Sequence, residues 1–348
     1  MANINDELKV LGQYSMPGIY GVPEIIAPKY NYPITPKENM LRMLNGEMPL
    51  WVPNQDIDNN ALQPLVMPDA QARNFGGTDW FGIEWMYEPN TKAAMVKPGF
   101  IRLDDITRWE EELVFPDLNA IDWKKDYEEN YKARIAPERF TYFVIVNGLF
   151  ERTADLISFE EAFMALLEEP ETLTAFYDKL TDWHIQLIKI AHDVYGTDMI
   201  LFHDDMGTQK STFFSPDTYR ELLLPQYQKI TKAIHDMGMY ACIHSCGNIS
   251  TLMPLFIEAG WDAWEGQDTA NDKKAIMEQY GKDLAQCTLW MVPAELSDEE
   301  AVQHVHQKVD DLARTGRFAA RLRDVKGNRG VNLAEELYRY SREMYLNL

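Results

Sequence analysis

From about residue 140 to its end, the sequence repeats one unit: a short buried apolar run, a turn, then a segment with apolar residues three and four apart. The runs are RFTYFVIVNG, DMILFHDD, MYACIHSCG, WDAWEGQD, LAQCTLW and RFAARL. Between them lie SFEEAFMALLEE with the long helix after it, SPDTYRELLLPQYQKITKAIHDMG, ISTLMPLFIEAG, NDKKAIMEQYG, SDEEAVQHVHQKVDDLARTG and NLAEELYRYSREMYLNL. Strands that alternate with helices form a parallel sheet with helices on its faces. With an earlier strand at LWVPNQ, roughly eight such units fit the chain, and a single (β/α)8 barrel is expected. A doubly wound open sheet is the alternative. No G-x-G-x-x-G opens a helix and no G-x-x-x-x-G-K-[ST] occurs, which weakens that alternative.

Upstream the pattern is less regular. Residues 1–34 carry prolines and no periodicity, so an extended N-terminal arm is expected. TPKENMLRMLNGE starts a helix, with Thr35 as N-cap, Pro36 in the first turn, Glu38 completing a capping box and Gly46 ending it. The barrel domain is then 35–348, with an aromatic-rich insertion over about 56–135 that holds a strand, a hairpin and helices at 104–113 and 122–134.

The charge excludes some functions. A net charge of -22 repels nucleic acid and anionic membrane. No apolar run approaches the ~18 residues of a membrane span, and the opening MANINDELKVLGQYSMPGIYG is not a signal peptide, so a cytoplasmic location is expected. Three cysteines, Cys242, Cys246 and Cys287, are too few for a disulfide framework.

In a barrel of this kind the chemistry sits at the C-terminal ends of the strands. Those ends hold Asn147-Gly148, His203-Asp204-Asp205, His244-Ser245-Cys246, Glu265 and Cys287. Residues two apart on a strand share a face, so His244 and Cys246 point the same way. Imidazole and thiolate are preferred zinc ligands, and Cys287, Asp205 or Glu265 can complete a site with them. The plain alternative is that the cysteines pack as small hydrophobes, the expectation for Cys242. Of the adjacent Asp204 and Asp205, at most one faces the barrel mouth, as a ligand, a partner of a ligating histidine or a proton acceptor. Trp80, Phe81 and Trp85, around the acid Asp79, are expected to line a pocket or to cap the barrel or an interface.

Several blocks resemble the uroporphyrinogen decarboxylase superfamily: TPKENMLRMLNGEMPLWVP, GLFERTADL, DMILFHDDMGTQKSTFFSPDTYRELLLPQYQKI and HSCGNISTLMPLFIEAGWDAWEG. The resemblance covers most of residues 35–290 and implies the same (β/α)8 fold. The decarboxylases hold substrate carboxylates with arginines near the first strand, where this chain has WVPNQDIDNN. The other branch, the corrinoid-dependent methyltransferases, carries zinc on a His-x-Cys pair and a later cysteine. His244 and Cys246 match that pair, but the later cysteine does not sit close to the C-terminus as in the coenzyme M enzymes. An O-demethylase variant with two cysteines and an acid fits Cys246 and Cys287 better, with Asp205 or Glu265 on the metal and His244 behind it. The resemblance thus implies Zn2+, a small methyl donor, a partner corrinoid protein and a homodimer. It gives Asp205 or Asp79 as the acid, and Trp80, Phe81, Trp85, Asn147, His203 and Gln209 as substrate contacts. The alternatives are a metal-free decarboxylase or lyase on a small carboxylate, and a barrel that binds a ligand without turnover.

Overall fold

A computed structural model describes residues 3–19, 22, 24–90, 93–267 and 269–348. The N-terminal arm is not a plain extended strap. Strands β1 (Val10–Pro17) and β2 (Glu24–Tyr30) pair as an antiparallel hairpin, whose turn residues 20, 21 and 23 lie outside the described residues. The expected helix follows at Pro36–Leu44, where the Thr35 side chain accepts from Glu38 N.

The barrel is built as the alternation required. Strands β3 (Asn59–Leu62), β7 (Phe140–Ile145), β8 (Met199–His203), β9 (Tyr240–His244), β10 (Ala263–Gln267), β11 (Ala285–Val292) and β12 (Phe318–Asp324) form one all-parallel sheet in that spatial order. The expected strand at 50–55 shrinks to a single parallel bridge, Asn54 to Ala320, because the helical turn Gln55–Asp58 interrupts it. That bridge brings the first segment onto the last strand, as a (β/α)8 barrel requires. Asp268, at the expected end of β10, lies outside the described residues.

Residue parity sets the core. Phe140, Tyr142, Val144, Leu201, Cys242, Ala263, Ala285, Cys287 and Ala319 form one apolar cluster, and Met40, Met43 and Leu44 pack into it. Alternate residues of a strand face opposite sides, so every second position from several strands meets in the barrel interior.

The insertion begins later than expected, since residues 59–62 belong to the barrel. It holds a three-stranded antiparallel sheet of β4 (Gly77–Thr78), β5 (Glu84–Glu88) and β6 (Ala93–Val96). The two expected helices are present in shortened form: Ile106–Arg108 runs into Trp109–Glu112, and Trp123–Asp126 widens into Tyr127–Tyr131. Arg152, fully buried on the helix Leu149–Ile157, fastens this insertion to the barrel. It donates to Asp79 Oδ2 at 2.6 Å and to Asp69, and lies over the Phe81 ring. Among the described residues no helix is long and apolar enough to cross a membrane.

Candidate metal centre at the barrel mouth

Strand register places the polar residues side by side. His203 on β8 is registered with His244 on β9, and His244 with Glu265 on β10. The two imidazoles stack, with centroids 4.1 Å apart and planes 11° from parallel. Each is held from behind by a buried carboxylate. His203 Nδ1 donates to Glu151 Oε2 at 2.7 Å, and His244 Nδ1 to Glu265 Oε1 at 3.1 Å. With Nδ1 of each ring bound to a carboxylate, Nε2 is the nitrogen left for a metal once the ring is neutral, the arrangement in which a carboxylate fixes a ligating histidine.

The Nε2 atoms meet a carboxylate and a thiol. One ligand atom each from His203, Asp205 and His244 lie within 4.8 Å of one another. His244 Nε2 is 3.6 Å from Asp205 Oδ1 and 3.3 Å from Cys246 Sγ. Donor atoms on a tetrahedral zinc with 2.0–2.3 Å bonds are roughly 3.3–3.8 Å apart. The two distances from His244 Nε2 fall in that range, and nitrogen, oxygen and sulfur are the donor types that zinc takes.

Without a cation the buried carboxylates favour protonated imidazoles, and a bound metal would displace those protons. Burial opposes the charge on Glu151, but His203 and Arg73 outweigh it and hold its carboxyl down at about 2. Glu265 is likewise buried and held at about 2 by Arg321 and His244. Burial and the stacked His203 ring oppose protonation of His244, yet Cys246 and Glu265 hold its pKa up at about 9. Arg321 completes the outer ring, 3.3 Å from Glu265 and donating to Tyr142 Oη.

The two loops that carry Asp205 and Cys246 interlock. Asp205 Oδ1 accepts from Cys246 N at 2.6 Å, and Asn248 N donates to the Thr208 carbonyl at 2.6 Å. Gly247 sits at φ 81°, and a Cβ there would lie 2.1 Å from the Gly207 carbonyl oxygen. Only glycine allows this backbone-on-backbone approach.

Several expected site residues lie elsewhere. Asp204 turns away from Asp205 and caps the helix Leu149–Ile157, accepting from Leu149, Phe150 and Glu151 N and from Tyr227 Oη. Cys287 sits in the apolar cluster with its thiol against Cys242. It is two strands from β9, roughly 9–10 Å of backbone, with Glu265 between. Glu265 spends its oxygens on His244 and Arg321. Asp79 is enclosed by Arg152, the Trp85 indole N–H and the backbone N–H of Phe81 and Ile83. Trp80 and Phe81 pack against Trp183. Asn147 is buried at φ 59°, and Gln209 is exposed on the loop after Asp205.

Trp85 and Asp205 line a mouth cavity of about 510 Å³, with Arg73, Phe100, Glu151, Asp155, Phe159 and Phe213. Glu151, Arg73 and Asp155 had drawn no attention in the sequence. The GLFERTADL block held the available signal: Glu151 and Asp155 are four apart, on one helix face. His203 was expected to touch substrate. The parity rule applied to His244 and Cys246 also puts His203 and Asp205 on one face.

The model of the family described as uroporphyrinogen decarboxylase (URO-D) matches residues 78–289, more than half of the chain. A methylated-thiol–coenzyme M methyltransferase of Methanosarcina mazei is 30% identical over 96 residues, 28% of this chain and 24% of that protein. The match thus spans about a quarter of that relative's length. The solved structure of a methyltransferase from Methanosarcina mazei aligns with a TM-score of 0.65 at 16% identity, covering 90% of this chain and 99% of the other. At that identity the likeness is one of fold.

Proposed function

The chain belongs to the uroporphyrinogen decarboxylase family, and on that premise we propose that it is a zinc-dependent methyltransferase, which moves a methyl group from a small methoxylated aromatic or similar donor to the cobalt of a partner corrinoid protein. The observation that carries the reading is that His203, Asp205 and His244 bring one ligand atom each within 4.8 Å of one another, with Cys246 Sγ 3.3 Å from His244 Nε2. These four residues would hold the metal. This set departs from the expected one: Cys287 is left in the core, and Glu265 acts behind His244.

Bound zinc supplies Lewis acidity toward the atom that bears the methyl group. The protein does the rest. Glu151 and Glu265 fix the tautomer and tilt of the two imidazoles. Trp85, Phe100, Phe159 and Phe213 bind the flat apolar body of the donor and keep water from the reacting atoms. The partner corrinoid docks over the same mouth. The decarboxylase alternative needs arginines free to hold carboxylates. Here Arg321 and Arg323 on the last strand are paired with Glu265 and Asp56.

Metal analysis tests the reading. Wild type is expected to hold about one zinc per chain, lost in His203→Ala and Cys246→Ser and kept in Cys287→Ser. Carefully prepared wild type without zinc sinks the proposal, and zinc loss in Cys287→Ser overturns the ligand set. Methoxylated aromatics, methylamines and methanol, offered with reduced corrinoid and followed by cobalt absorbance, then identify the donor.

A further inference from the structure

One wall of the mouth cavity carries an acid that the metal cluster does not use. The helix Leu149–Ile157 presents Glu151 and, one turn on, Asp155 to the cavity. Glu151 is taken by His203 and Arg73. Asp155 is only 8% exposed, and among the described residues its Oδ2 has no hydrogen-bond partner.

The surroundings decide its charge. Four buried carboxyls, Asp69, Asp79, Glu151 and Asp155, crowd two guanidinium groups, Arg73 and Arg152. Arg152 is bound by Asp69 and Asp79, and Arg73 by Glu151. An uncompensated buried charge is far costlier than a buried neutral acid. Burial, reinforced by Glu151 and Asp79 against the pull of the arginines, pushes the Asp155 carboxyl well above the usual range. A carboxylic acid kept neutral in this way is a hydrogen-bond donor.

Side chains four apart on a helix have Cβ atoms roughly 5–6 Å apart. Asp155 therefore stands one helical turn from the carboxylate that backs His203, on the lining of the cavity it shares with Trp85, Phe159, Phe213 and the metal-side Asp205. We propose that Asp155 is a specificity-determining residue, whose carboxyl hydrogen-bonds an uncharged hydroxyl or carbonyl oxygen at the far end of a flat aromatic methyl donor. This rests on the reading of the mouth as the methyl-donor site. A donor without the second oxygen leaves the Asp155 proton unpartnered, and a site built for a polar contact rejects the analogue that lacks it. An anionic substituent in its place would meet Glu151 and Asp205 on the same wall.

Isothermal titration calorimetry tests this with 4-methoxyphenol and methoxybenzene as probes, on metal-free and zinc-loaded protein. Wild type is expected to favour 4-methoxyphenol by about tenfold. Asp155→Asn keeps an N–H donor and should retain a preference of several-fold, while Asp155→Leu should bind both probes alike. Equal binding by wild type, or a preference that survives in Asp155→Leu, overturns the proposal. Should Asp155→Leu fail to fold, the wild-type comparison still decides. Zinc content on the same samples separates the two readings: a preference without zinc keeps Asp155 and sinks the metal, and zinc without preference does the reverse.

Discussion

Replacing Arg152 with methionine should cost stability in a way that depends on pH. The guanidinium is fully buried, bonded to Asp79 Oδ2 at 2.6 Å and to Asp69. Methionine keeps most of the length and packing over Phe81 but leaves two buried carboxylates without a cation. Breaking a buried pair from one side costs about 3–5 kcal/mol, out of a total stability of roughly 5–15 kcal/mol. Burial already holds Asp69 up at about 6, with Arg152 pulling it down. Without Arg152, the Asp69 carboxyl titrates higher still when folded, further above its unfolded value of about 3.9. A carboxyl raised in this way destabilises the fold above its folded pKa, and the cost fades as pH falls through that value. The deficit should thus be largest above about pH 7. It should shrink by up to about 1.4 kcal/mol per pH unit for each carboxyl that regains a proton. Urea unfolding of both proteins, followed by circular dichroism at about pH 7.5 and about pH 5.5, measures it. A deficit under about 1 kcal/mol at the higher pH, or one that does not change between the two, refutes the reasoning.

Two further outcomes are expected. Cys246 is half-buried while Cys242 and Cys287 are buried, so a thiol reagent should label one cysteine quickly in the native chain and all three after unfolding; two fast thiols would contradict the placement of Cys287. Asp204→Ala strands three backbone N–H groups and the Tyr227 hydroxyl, each costing about 1–3 kcal/mol, and should lower the melting temperature sharply or prevent folding. Asp205→Ala frees one backbone N–H, that of Cys246, and a contact with His244, and should melt near wild type while binding zinc less well; the opposite ranking in thermal melts would be wrong for this structure.

The sequence carried the barrel clearly, because buried strands and amphipathic helices each impose a period that survives without any knowledge of tertiary contacts. It also carried the opposition of Asp204 and Asp205, a consequence of strand parity. Cys287 was misread for a local reason. It looked like a strand end, but β11 runs five residues past it to Val292, which leaves the thiol deep in the barrel. Asp79 looked like a pocket acid because its cation, Arg152, is 73 residues away in sequence. Sequence distance likewise hid Glu151 from His203, 52 residues on. Pairings of that range depend on which strand lies beside which, information that a period does not contain.

The glycine crossing of Gly207 and Gly247 bears on how the centre behaves when stripped. Asp205 and Cys246 are spaced by backbone contact and by hydrogen bonds between their own loops. Their separation is therefore a property of the polypeptide. Unlike a zinc finger, whose fold is made by its ion, this chain should survive chelation intact and gain only the mass-action increment when metal returns. A rigid spacing of this kind also sorts ions by size: those that need longer bonds or more ligands must pry two glycine backbones apart before they can bind.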